Sequence, residues 1–313
     1  MIVVDHVTKR YGATTAVDDL SFTVTPGVVT GFLGPNGAGK STTMRMIVGL
    51  DRPDTGAVTV DGTPYADHVA PLHAVGALLE ARAIHPGRSA YHHLLALATT
   101  TGIPRRRIDE VLDLVGLTEV GRKRAGTFSL GMGQRLGIAA ALLGDPDVVV
   151  LDEPVNGLDP DGILWIRGLL RSLAAEGRTV LVSSHLIAEI ALVADHLVVV
   201  GRGRLIADTT VAAMQRSADG AGVRVRTPRV GELARVLLDD GVTVETDNQP
   251  DEMLVTGLDA ATIGDRALAA GIVIHALVPT EVTLEQAFLQ MTHDAVQYQP
   301  GEPVHERDGG AAR

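Results

Sequence analysis

The run VTGFL at Val29–Leu33, followed by GPNGAGKST at Gly34–Thr42, decides the fold. The apolar run reads as a strand and the apolar-periodic run after Lys40 reads as a helix, so the GxxxxGK[ST] pattern falls on the loop between them. Gly34, Gly37 and Gly39 permit backbone turns that a Cβ would resist. Successive N–H groups can then converge on β- and γ-phosphates, while the helix N-terminus adds its positive end. Lys40 supplies a mobile point charge. Ser41 is placed to offer its hydroxyl to Mg²⁺, and Thr42 can reach an α-phosphate through its N–H and hydroxyl. An ordinary glycine-rich turn would explain a shorter motif, but not this pattern between a strand and a helix.

Working outward, VVVL at Val148–Leu151 reads as a buried strand ending in two acids. Asp152 is placed to hold the metal. Glu153 points the other way from the strand and can polarise a water for attack on a γ-phosphorus. Two solvated acids at a strand end are the plainer alternative. Between the motifs lies FSLGMGQRLG, where Ser129, Gly131 and Gly133 are expected to precede a helix over Leu136–Leu143. Their small side chains and free amides would make a second helix-end anion site, unless Ser129 is simply an N-cap.

In order and spacing these motifs resemble the ATP-binding-cassette (ABC) ATPase subunits, over about residues 2–215. Tyr11 matches the family's aromatic loop, whose ring stacks on adenine. Ser129–Gln134 matches the signature motif in an SxGMxQR form, Asn156–Pro160 matches the D-loop with Asp159 as its acid, and His185 matches the switch histidine after a strand. By residue chemistry alone, Tyr11 could be a core tyrosine and His185 a satisfied structural histidine. The resemblance implies ATP and Mg²⁺ as cofactors and Glu153 and His185 as catalytic residues. It places Ser41, Glu80 and Asp152 beside the metal. Tyr11, Asn36, Gly37, Gly39, Lys40, Ser41, Thr42, Glu80, Ser129, Gly131 and Asp159 are then the nucleotide contacts. It further implies a head-to-tail pair, in which the Ser129 site of one copy closes on the ATP held by Lys40 of the other.

One position departs from the family pattern. Glu80, after Ala74–Leu79, stands where the family carries a glutamine, and an ionised carboxylate accepts hydrogen bonds but cannot donate them. Metal contact survives that exchange, whereas donor contacts do not; a solvated acid at a helix start is the alternative. The other ten histidines receive no role, and the adjacent His92 and His93 read as a solvated pair without metal-ligand spacing.

At 313 residues the chain has room for two domains, and the absence of cysteine excludes a disulfide scaffold. Charges at Asp5, Lys9 and Arg10 argue against a secretory signal, and no uninterrupted apolar run is long enough to span a bilayer. The resemblance therefore implies docking on a separate membrane permease, at the cytoplasmic face of the plasma membrane. With 38 acids against 27 lysines and arginines, no extended nucleic-acid footprint is expected.

The expected fold is α/β: a P-loop NTPase cassette over 1–215 with an antiparallel β subdomain and a helical subdomain, then a small α+β ferredoxin-like domain over 220–294. Residues 64–145 read mostly helical, and strands are expected at 148–152, 179–184 and 196–200. RSADGAG near Gln215–Gly222 marks the boundary. VRVRT, VGELARVLLDD, VTVET, EMLVTG, ATIGDRALAAG and IVIHAL then read β-α-β-β-α-β, with a last helix over Thr283–Met291. This second unit is acidic, with 13 acids and 5 arginines between Asp219 and Asp294; a dimer contact, regulation or plain stabilisation would each suit it. The tail over 298–313, without apolar anchors, is expected to be disordered. SLGMGQ, Glu80 and the closing TLEQAFLQMT resemble drug-exporter cassettes and imply export of a small amphipathic drug, antibiotic or lipid. An importer subunit remains open. So does a soluble cassette acting on ribosome or DNA, although a single P-loop without a sustained heptad run disfavours it.

Overall fold

The computed structural model describes residues 1–80, 84–217, 222–239, 241–246, 250–280, 283–286 and 288. Its strands are β1 (Ile2–Tyr11), β2 (Thr14–Val24), β3 (Val29–Leu33), β4 (Thr55–Val60), β5 (Val75–Leu78), β6 (Val148–Leu151), β7 (Thr179–Ser184), β8 (His196–Gly201), β9 (Arg204–Thr210), β10 (Gly222–Arg226), β11 (Thr243–Thr246), β12 (Glu252–Thr256) and β13 (Ala276–Thr280). They form a three-stranded antiparallel sheet, β2-β1-β4, and a six-stranded sheet, β5-β6-β7-β3-β8-β9, in which only β9 runs antiparallel to its neighbour.

The central strands are continuous apolar runs because both of their faces are buried. Phe32, Val148, Val150, Leu181 and Val198 point into a core shared with Ile2, Val4 and Leu20 of the antiparallel sheet. The alternate residues Leu33, Val149, Leu151, Val182 and Val199 point into a second core, closed by the helices Ala90–Thr101, Arg105–Leu114, Leu130–Leu142 and Pro160–Ala175. This alternation places the sheet between two hydrophobic layers and leaves its carboxyl edge for chemistry.

Residues 64–145 are not helical throughout. VGAL at Val75–Leu78 forms β5, the edge strand paired with β6; a short apolar run cannot be assigned to helix or strand by periodicity alone. Tyr11 is the last residue of β1. The signature helix begins at Leu130, so Gly131 and Gly133 lie within its first turn.

The C-terminal unit has the expected β-α-β-β-α-β order. Its sheet is β11-β12-β10-β13, antiparallel throughout, covered by the helices Val230–Leu237 and Ala260–Ala269. The final strand is Ala276–Thr280, shifted from the expected IVIHAL; Ile272 instead joins the core under the helices. Of the expected last helix, Thr283 opens a turn by exchanging hydrogen bonds with Gln286, and Leu284 and Phe288 belong to the cassette core with Met214; the rest lies outside the described residues, as does the tail. Among the described residues no helix is long and apolar enough to cross a membrane.

Candidate active site

Strand register brings the expected residues together. Leu33 of β3 lies beside Ser184 of β7, which sets Gly34 level with His185. Leu151 of β6 lies beside Val182, which sets Asp152 against Ser183. Leu78 of β5 lies beside Leu151, and the Asp152 N–H donates to the Leu78 carbonyl at 2.7 Å, so Glu80 enters from the flank.

The loop Gly34–Gly39 is shaped by its glycines. Gly39 has φ 100°, and a Cβ there would stand 2.5 Å from the Ala16 carbonyl oxygen; one on Gly34 would stand 2.4 Å from that of Val200. Gly37, at φ 81° with open space around it, is required for its conformation alone. Asn36 and Gly37 form the exposed tip. The loop ends on the helix Lys40–Ile47. Lys40 is buried and donates through Nζ to the Gly34 and Pro35 carbonyls at 2.6 and 3.3 Å, which holds the cation inside the cradle. Burial lowers its pKa below 10.5, opposed by Glu153 and Asp152.

Asp152 is an oxygen junction. Ser41 donates to Oδ2 at 2.7 Å, Ser183 donates to Oδ1, and Ser183 accepts from the Glu153 N–H at 2.9 Å. A hydroxyl and a carboxylate at the mouth of the phosphate cradle are the hard donors that Mg²⁺ prefers. Glu153 has φ 50°, a left-handed conformation uncommon outside glycine, which turns it off the strand. Its Oε2 lies 2.8 Å from His185 Nδ1 and accepts from Asn156 Nδ2 at 3.4 Å, while Gln134 Nε2 donates to its carbonyl at 3.2 Å. Ser183, Gln134 and Asn156 therefore orient Glu153. Sequence reasoning had placed Gln134 and Asn156 inside motifs without giving them this task, and Ser183 could be found only from the β6–β7 register.

The Tyr11 ring is half exposed and anchored at its hydroxyl, which donates to Asp51 Oδ2 at 2.8 Å. Arg45 Nε donates to the same oxygen at 2.7 Å, and Lys9 Nζ lies 5.4 Å from the ring centroid. Arg45 first, then Tyr11, hold the Asp51 carboxyl below 3.8. Asp51 carried no sequence signal, being one acid in a polar turn.

Glu80 shares a cavity of about 640 Å³ with Ser41 and Asp152; its other walls are largely apolar. His93 also lines it, and the reading of His92 and His93 as a solvated pair is corrected: His92 is exposed, but His93 Nδ1 is buried without a hydrogen-bond partner. Burial, reinforced by Arg88, lowers the His93 pKa below 6.5. Ser129, Gly131 and Asp159 line a different depression with Gly157 and Leu158. Ser129 caps its helix by accepting from Met132 N–H at 3.2 Å, and Asp159 caps the next by accepting from Gly162 N–H at 2.9 Å. Within one chain, Lys40, Ser41, Asp152, Glu153 and His185 converge, with Gln134 and Asn156 reaching Glu153 from the signature and D-loop segments, while Ser129, Gly131 and Asp159 line the separate depression.

A phosphate cradle after β3, acids after β6 and a histidine after β7, on a sheet with an antiparallel flank and a helical flank, define a P-loop ATPase of the cassette class. The ABC transporter family matches residues 17–156, and a domain of unknown function (DUF8746) matches residues 221–285. The chain is 38% identical over 311 residues to the daunorubicin resistance ATP-binding protein DrrA3 of Streptomyces coeruleorubidus, covering 94% of this chain and 96% of that one. It is 43% identical over 209 residues to the bacitracin transport ATP-binding protein BcrA of Bacillus licheniformis, covering 66% and 68%. A solved ATP-binding subunit of an ABC transporter superposes with TM-score 0.63 at 29% identity, covering 69% of this chain and 92% of that one. The fold is also that of the cassette MJ0796, solved as a dimer with ADP and Pi (TM-score 0.62, 24% identity, covering 67% and 98%). The chain belongs to the ABC transporter ATP-binding proteins, and it is an ATPase coupled to transport.

Proposed function

We propose that this chain powers export of a small amphipathic compound, a drug, antibiotic or lipid, through a separately encoded permease, and that it sits at the cytoplasmic face of the plasma membrane by docking there. The observation that carries the reading is the likeness to the daunorubicin resistance protein, which runs through the C-terminal unit as well as the cassette. In this reading the ATPase domain spans 1–215 and the accessory domain 220–294.

The geometry of the site supports the following roles. Lys40 and the loop N–H groups take the β- and γ-phosphates, Thr42 the α-phosphate side, and the anchored Tyr11 ring the adenine. Ser41 and Asp152, with Glu80 on the same cavity, would hold Mg²⁺, which when bound neutralises charge on the phosphate oxygens. Glu153 takes the proton of the attacking water, and His185 holds Glu153 in register. Ser129, Gly131 and Asp159 complete the site of a second copy in a head-to-tail pair, consistent with their separation from Lys40 in one chain.

The test is ATP-dependent transport in vesicles that contain both this chain and its permease. Movement of an amphipathic compound away from the ATPase side is expected. Movement toward that side would make the assembly an importer, and turnover indifferent to every amphipathic compound would remove the cargo assignment while leaving the ATPase intact.

A further inference from the structure

The signature and D-loop segments each begin a helix, and the two helices are tied together behind those beginnings. The Arg135 guanidinium, on the helix Leu130–Leu142, lies 4.4 Å from the ring centroid of Trp165, on the helix Pro160–Ala175. Both side chains also reach a third element. Arg135 Nη1 donates to the Val115 carbonyl at 3.0 Å, and Trp165 Nε1 donates to the Leu114 carbonyl at 3.3 Å. Those carbonyls close the helix Arg105–Leu114, whose negative end favours a cation. Nearer the helix starts, Gly131 packs on the Gly157 backbone: a Cβ on Gly131 would stand 3.0 Å from the Gly157 oxygen. The caps Ser129 and Asp159 are therefore fastened to each other at two levels.

We infer that Arg135 and Trp165 are positioning residues that make Ser129 and Asp159 one rigid edge, presented together to the ATP held by a second copy. The inference rests on the head-to-tail reading above. Neither side chain lies among the residues that hold phosphate or metal in its own chain, so their effect should fall on assembly and turnover and leave nucleotide binding to one copy unchanged. Arginine suits the joint because its planar fork stacks on indole and donates to a carbonyl at once, whereas lysine offers a point charge that cannot do both.

The experiment uses the full chain carrying Glu153→Gln, with ATP-dependent dimerisation followed by sedimentation and binding of a fluorescent ATP analogue measured below the dimerising concentration. Trp165→Leu and Arg135→Lys, each added separately, are expected to raise the protein concentration needed for half-dimerisation about tenfold, within what a partly desolvated cation–π contact can supply. Analogue binding should stay within about twofold, and Trp165→Phe, which keeps an aromatic face, should restore dimerisation to within about threefold. Unchanged dimerisation in both the Leu and the Lys variants would overturn the inference. So would a loss that Phe does not repair and that tracks a lowered thermal midpoint. If the Glu153→Gln protein with Trp165 intact forms no ATP-dependent dimer, the head-to-tail reading itself falls, and this inference with it.

Discussion

His185 and Glu153 meet through Nδ1 and Oε2 at 2.8 Å, across 32 positions of sequence. An ionised carboxylate only accepts, so in this contact the hydrogen is carried by Nδ1. The parallel pairing of β6, β7 and β3 makes the meeting possible by ending three strands at one level.

Glu153→Gln is expected to keep ATP binding but lower turnover about 10²–10⁴-fold, the range for losing a general base. His185→Ala should act in the same direction, and the double variant should be little worse than Glu153→Gln, since the two act as a unit. Steady-state phosphate release with each variant checks this; full turnover in Glu153→Gln would remove Glu153 from the role.

Lys40→Ala should weaken nucleotide binding about 10–100-fold, the loss of a charge-assisted phosphate contact. Equilibrium binding of a fluorescent ATP analogue measures it. An affinity equal to that of the unmodified chain would mean that the backbone cradle alone holds the phosphates.

Asp51→Asn removes the charge that pins both Arg45 and the Tyr11 hydroxyl. The expected result is a KM for ATP raised about three- to tenfold with kcat unchanged, because only adenine binding is loosened. The carboxyl is held below 3.8, so the stability it contributes is fully present above pH 3.8 and lost as the pH falls through the lower folded-state value. Equal KM values would show that the ring needs no anchor.

Glu80→Gln removes one negative charge from the cavity that Ser41 and Asp152 share. The Mg²⁺ concentration for half-maximal turnover should rise about two- to fivefold, as one carboxylate is lost near the cation. A titration with Mg²⁺ at saturating ATP decides it, and an unchanged midpoint would place Glu80 away from the metal.

His93 supplies a pH-dependent stability. Its pKa is lowered in the folded chain, so between that value and 6.5 the unfolded chain binds more protons and stability falls with falling pH. Thermal midpoints measured from pH 7.5 down to about 5 should decline, and His93→Leu should flatten that slope. The same slope in both proteins would assign the effect to other groups.

Much was determined by the sequence itself, because the physics there is local. GPNGAGKST reads as a glycine-rich turn between a strand and a helix, VVVLDEP buries its valines and leaves its acids at the edge, and the order β-α-β-β-α-β was written in the periodicity of residues 222–280. What the tertiary structure alone decided are relations between distant segments. VGAL at Val75–Leu78 became a strand because β6 offered it an edge, and only that pairing puts Glu80 on the cavity of Asp152. Ser183 and Asp51, unremarkable as residues, became the supports of Glu153 and Tyr11 through strand register and through the turn after the phosphate-loop helix. His93 is half-buried because the helix Ala90–Thr101 turns its ring toward the cavity of Glu80, whereas its neighbour His92 stays exposed. Local motifs carry their own chemistry; which oxygen faces which proton depends on packing between chain segments that periodicity and spacing do not encode.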